Sequence, residues 1–130
     1  MSYPVSIMIG ICIGGVFSGI HTEKSKKNLQ NKILSIAKNI ILENTLDDFK
    51  EYPEKISDIL SGNKGDYMVM AGVYNTLGFG TANLIAQGIS KKLECETMIM
   101  AYDCTGQRIE CMVYMHGEPK SSKPIEGYED

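Results

Sequence analysis

The chain has 130 residues, 43% of them hydrophobic and 22% charged, with four cysteines and a net charge of −3. That length is enough for one domain to bury a core without covalent staples. The mildly acidic balance excludes an overall basic footprint for a nucleic-acid polymer.

The first element sets the pattern. Val5, Ile7, Ile9, Ile11 and Ile13 alternate with Ser6, Met8, Gly10, Cys12 and Gly14, the period of two and the β-branched bias of a buried strand. Residues 5–21 also have the length and apolarity of a single membrane span, followed by Lys24, Lys26 and Lys27 on the positive side. A spanning helix has no reason to place isoleucine at every second position, so the strand is favoured and the membrane reading is kept as a second alternative. Residues 1–4 carry no lysine or arginine, which speaks against a signal peptide.

Gly15-Val16-Phe17-Ser18-Gly19-Ile20-His21 then forms a glycine-bounded connection, and Thr22 or Ser25 can cap the helix that follows. Leu29, Ile33, Ile36, Ala37, Ile40 and Ile41 recur at spacings of three and four, which predicts a helix over about residues 23–43. Pro53 suits the first position of a short helix to Leu60, ended by Ser61-Gly62-Asn63-Lys64-Gly65. Tyr67 to Tyr74 reads as an interior strand. After the glycine-rich Asn75 to Thr81 comes a second helix carrying Leu84, Ile85, Ile89 and Leu93, with Lys91 and Lys92 at its C-terminal end, where cations suit the dipole. Glu96 to Tyr102 and Arg108 to His116 are strands of a hairpin turning near Gly106.

The expected fold is therefore α+β: one domain over residues 1–116, with a four-stranded mixed sheet in the order β-α-(α)-β-α-β-β and helices mainly on one face. Strand–helix–strand links favour parallel neighbours, and residues 117–130 read as a polar, flexible tail. Residues 7–17 and 69–79 echo each other at an offset of 62, a weak sign of duplication. Methionines at 68, 70, 98, 100, 112 and 115 fall on both sides of the expected sheet. Its second face should thus be covered too, by helices or by a second copy of the chain, and homo-oligomerisation is expected.

The best candidate for chemistry is the first loop, where a strand feeding a glycine-rich turn and a helix start gathers unpaired N–H groups and the positive dipole end. Lysines in that first turn oppose the dipole, a conflict that a bound anion relieves. The candidate ligand site comprises Gly15, Ser18, Gly19, His21, Thr22, Lys24 and Lys27. To these are added Phe79 as a stacking ring, Asn83, and the single arginine, Arg108, as a carboxylate or phosphate clamp. Gly14 and Gly19 have P-loop spacing, but Ile20-His21 stand where Lys and Ser/Thr are required, so NTP hydrolysis is not implied.

The expectation is a cytoplasmic binding protein for a small anionic, nucleotide-like ligand. The alternative is a small enzyme using His21 or His116 as acid or base, although no nucleophile or general base is assignable. No cofactor is called for. Cys12, Cys95, Cys104 and Cys111 lack zinc spacing and read as free thiols, and no metal site is implied.

Overall fold

The computed structural model describes residues 5–13, 22–43, 56–62, 65–74, 78–102 and 105–121. Its elements are β1 (Val5–Cys12), α1 (Glu23–Glu43), β2 (Leu60–Gly62), β3 (Gly65–Tyr74), α2 (Gly78–Leu93), β4 (Glu96–Tyr102), β5 (Arg108–Met115) and β6 (Glu118–Ser121). The α+β class follows the sequence. The sheet does not: among the described residues it has six strands in the order β2-β3-β1-β4-β5-β6, and every neighbouring pair is antiparallel.

The reason lies in how two crossovers interleave. β1 and β2 run the same way, as a strand–helix–strand link requires, but β3 sits between them. β3 and β4 likewise run the same way with β1 between them. Each crossover is thus a split β-α-β unit, and splitting turns every parallel neighbour into an antiparallel one. Two further elements depart from expectation. The segment before β2 is not helical up to Leu60, because Ile56 bridges Met70 and Leu60 pairs with Tyr67. Glu118–Ser121, expected in a flexible tail, instead pairs with β5 as β6.

β1 lies inside the sheet, paired along its length with β3 (Val5 opposite Tyr74, Cys12 opposite Tyr67) and with β4 (Ser6 opposite Tyr102, Ile11 opposite Thr97). Ile7, Ile9, Ile11 and Ile13 join the helices in the main core. All six apolar residues of the α1 stripe are buried there, from Leu29 to Ile41, the leucine and isoleucines each adding about 1.5–3 kcal/mol of burial and Ala37 less. Both helices lie on this face. The opposite face carries a separate cluster of Met98, Met100, Cys111 and Val113 with Met8, Cys12, Tyr67 and Tyr102. The 62-residue offset maps Ile7, on the helix face, onto Val69, on the other. The echoing positions are therefore not structurally equivalent. Among the described residues no helix is long and apolar enough to cross a membrane, and the start of the proposed span is the strand β1.

Local chemistry sets the helix ends. Thr22 Oγ1 accepts the Ser25 amide at 3.0 Å, which makes Thr22 the N-cap of α1. Glu94 takes a left-handed conformation (φ 50°) just past α2, and the Cys95 amide reaches back to the Ser90 carbonyl at 3.1 Å. This is the Schellman closure, with glutamate where glycine is the usual occupant. α1 starts near the β2–β3 edge, where the Gln30 amide donates to the Ser57 carbonyl, and by Ile40 it lies against Gly88 of α2. A Cβ on Gly88 would overlap the Ile40 side-chain tip, so that glycine sets how closely the helices approach.

Two stability outcomes follow. Glu94→Gly should stabilise by about 0.5–1 kcal/mol in urea unfolding, since glycine adopts the left-handed cap without strain. Gly88→Ala should destabilise by about 1 kcal/mol, overlap outweighing the gain in helix propensity. Adding Ile40→Val, which deletes the colliding Cδ1, should return much of that loss.

Candidate functional site

Those of the residues singled out in the sequence that are described do not assemble at one place. Gly15, Ser18, Gly19 and His21 lie outside the described residues. Thr22 is occupied as a helix cap, and Lys24 and Lys27 are exposed on the first turns of α1. Between them Lys26 bridges Glu23 and Asp58 at 3.0 and 2.9 Å. That pairing answers the dipole conflict within the chain: carboxylates compensate the cation at the helix start. The Lys26 ammonium holds the Asp58 carboxyl below its ordinary range, helped by the Ile59 amide. Lys26 in turn is raised, by Asp58 first and Glu23 second. The sign is clear in both directions. The pair is intact through neutral pH, is lost as pH falls through the depressed Asp58 value, and is lost again as pH rises through the raised Lys26 value.

Arg108 opens β5 opposite Tyr102, at the end of the sheet where β1 begins. Lys26 lies by Asp58, beside the β2–β3 edge and near the other end of β1. Four strand positions and about six residues of strand separate the two, about 19 Å across and about 20 Å along. Phe79 sits in the first turn of α2. Asn83, one turn further on, takes a 2.8 Å hydrogen bond from the Tyr114 hydroxyl, whose own pKa burial raises.

The structure gathers different residues into an open cleft of about 400 Å³ between α2, Ile40 of α1 and the β5–β6 turn. Lys91 and His116 provide its basic groups and Glu118 its carboxylate, with Leu84, Gln87, Gly88 and Gly117 completing the wall. His116 and Gly117 are the two central residues of a hairpin turn, both at positive φ (52° and 87°), between the paired Met115 and Glu118. That is the signature of a type I′ turn, whose twist suits a hairpin, and histidine is among the residues that tolerate it.

The turn is bolted to α2. Ser90, fully buried, donates its hydroxyl to the Cys95 carbonyl at 2.7 Å and accepts the Gly117 amide at 3.0 Å. The Gln87 amide donates to the Gly117 carbonyl at 2.9 Å. A Cβ on Gly117 would stand 2.9 Å from Lys91 Cβ, so the glycine both bends the turn and seats it on the helix. The His116 backbone is thereby fixed at the rim of the cleft beside Lys91. The sequence signal was present: His-Gly between two strand-like runs is a two-residue hairpin loop. The reading that placed Gly117 at the start of a tail passed over it.

Burial pushes the Cys95 thiol up to about 12, with the charges of Cys12 and Glu96 adding to it, so it stays protonated and unreactive at neutral pH. Cys12, Cys95 and Cys111 are free thiols. Among the described residues no three His, Cys, Asp or Glu side chains are grouped to hold a metal ion. In comparison with known proteins, the chain matches no family model, no curated protein and no solved structure.

The turn's anchor can be tested by itself. Ser90→Ala should cost about 2 kcal/mol, the penalty for leaving the buried Gly117 amide without an acceptor. It should also speed amide hydrogen exchange at Gly117 in excess of the global change in stability.

Proposed function

We propose that the protein binds a small anionic, hydroxyl-bearing molecule, of the sugar-phosphate or nucleotide class, in the cleft between α2 and the β5–β6 turn. The observation that carries this reading is the convergence of Lys91 and His116 on a cleft whose wall is immobilised by Ser90, Gln87 and Gly117. A lysine and a histidine serve an anionic group through charge-assisted donors, and the Glu118 carboxylate on the same rim accepts from hydroxyls. A volume of about 400 Å³ is in the range of small-molecule sites. The reading does not require a second copy of the chain. Of the six methionines that suggested one, Met68, Met70, Met98 and Met100 are at most 4% exposed within a single chain, and Met112 and Met115 are partly buried.

His116 also keeps the enzymatic alternative in view, because it shares the cleft with Glu118. An acid–base role needs those two groups to act on one substrate, and turnover would reveal it.

The test is isothermal titration of the full chain with ribose 5-phosphate, AMP and inorganic phosphate. At least one should bind saturably. Lys91→Ala and His116→Asn, the latter chosen because asparagine tolerates the left-handed turn, should each weaken it about tenfold or more, the worth of one charge-assisted hydrogen bond. Lys24→Ala with Lys27→Ala should leave affinity unchanged. The reverse pattern would move the anion site to the start of α1 and defeat the cleft.

A further inference from the structure

The face of the sheet turned away from the helices has a hollow whose floor is a missing side chain. Gly10, buried in the middle of the interior strand β1, lies opposite Val69 on β3 and Met98 on β4. Side chains at these three positions share the face turned away from α1 and α2, and only Gly10 contributes none. Met8 and Met100 stand on one side of the gap, Leu60 and Tyr67 on the other, and the space they enclose with Val69 and Met98 is about 240 Å³. Glycine weakens a strand interior relative to any residue with a side chain, and in that position it often marks close approach by something else.

We propose that this hollow is a binding site for a small, uncharged, ring-sized apolar molecule. None of the described lining residues carries a charge, so none of them would compensate an ionised ligand, whose desolvation against methionine, leucine and valine would be costly. An apolar cavity of about 150 Å³ holds benzene, so this one has room for a fused ring of about ten heavy atoms. Three of the walls are methionines, whose unbranched thioethers adjust to the outline of a planar guest and make favourable sulfur–aromatic contacts.

A second copy of the chain is the competing occupant of an apolar sheet face, and burial argues against it. A stable dimer needs on the order of 800 Å² from each partner. Met98, Met100, Cys111 and Val113 at the centre of the face are at most 5% exposed in the single chain, so among the described residues the area left to a partner is confined to surrounding side chains such as Met8, Leu60, Tyr67 and Val69. What remains to be filled is a depression, not a surface.

The experiment uses the full-length protein with ¹³C-methyl methionine, titrated with indole and followed by methyl NMR. Saturable shifts are expected at Met8, Met98 and Met100, with none at Met68 and Met70, which face the helices. Gly10→Val, which fills the floor with a residue suited to a strand, should weaken indole binding at least tenfold while circular dichroism and the unfolding midpoint are kept. If that variant fails to fold, Val69→Phe narrows the hollow from its β3 side and should give the same loss. Lys91→Ala should leave indole binding unchanged, so the fate of the polar cleft and of this site are read separately. Absence of shifts up to the solubility of indole would overturn the proposal. So would equal shifts on both faces, or a native mass showing that indole displaces a second copy from this face.

Discussion

Interior placement of β1 is the constraint on which the rest of the structure depends. It pairs with β3 on one side and β4 on the other, so both edges of its backbone are satisfied, and its isoleucine face is packed under the helices. A slip of one residue would exchange its two faces: the isoleucines would leave the helices, and Met8, Gly10 and Cys12 would enter the main core. The four isoleucines that fill the helix face therefore specify the register of the whole sheet, and with it the place of α1 and α2. The same register puts Gly10 between Val69 and Met98. The hollow is thus a consequence of pairing geometry, set by one residue type at one position.

α2 converts that sheet into a shaped surface through polar contacts made at its sheet-facing side. Thr97, fully buried, donates its hydroxyl to the Ala86 carbonyl at 2.8 Å. Tyr114 reaches Asn83, Gln87 reaches Gly117, and Ser90 holds both Cys95 and Gly117. Each contact satisfies a polar group that would otherwise be costly to bury, and none of the described buried side-chain polar atoms lacks a partner. Apolar packing alone would let the helix slide. These hydrogen bonds fix it lengthwise against β4, β5 and the turn into β6, so the cleft beside Lys91 has a defined outline.

Much of the fold was legible in the sequence because the signals were local. Alternation gave β1, and spacings of three and four gave the α1 stripe, every member of which is buried. Gly106 has positive φ (83°) in the hairpin turn where a left-handed residue was expected. Strand order was not legible. Whether a third strand enters between two crossover-linked strands is decided by tertiary packing, to which residue patterns within each strand are indifferent. What surrounds the lysines at the start of α1 was not legible for a related reason. Lys26 looked like part of an unsatisfied cluster because Asp58 lies 32 residues away in sequence, yet the two meet across the first helix turn. Lys91 looked like a dipole-compensating cation and His116 like an exposed strand end, and the turn chemistry of His116-Gly117 was the one local clue that could have joined them.

The polar cleft and the apolar hollow lie on opposite faces of the same sheet, and this arrangement bears on how they would act together. Thr97 and Met98 are consecutive in β4, one anchoring α2 above the sheet and the other walling the hollow below it. An influence of one site on the other can pass through β1, which carries Gly10 and also packs on α2, or through β4. Each of these strands is hydrogen-bonded on both edges, β1 to β3 and β4, and β4 to β1 and β5, so a shift in either must disturb two ladders at once. Coupling through such an element requires two discrete packings of the strand, whereas a close-packed core with satisfied polar groups has one. On the two proposed readings, the sites would therefore fill independently, each shaped by its own side of the sheet.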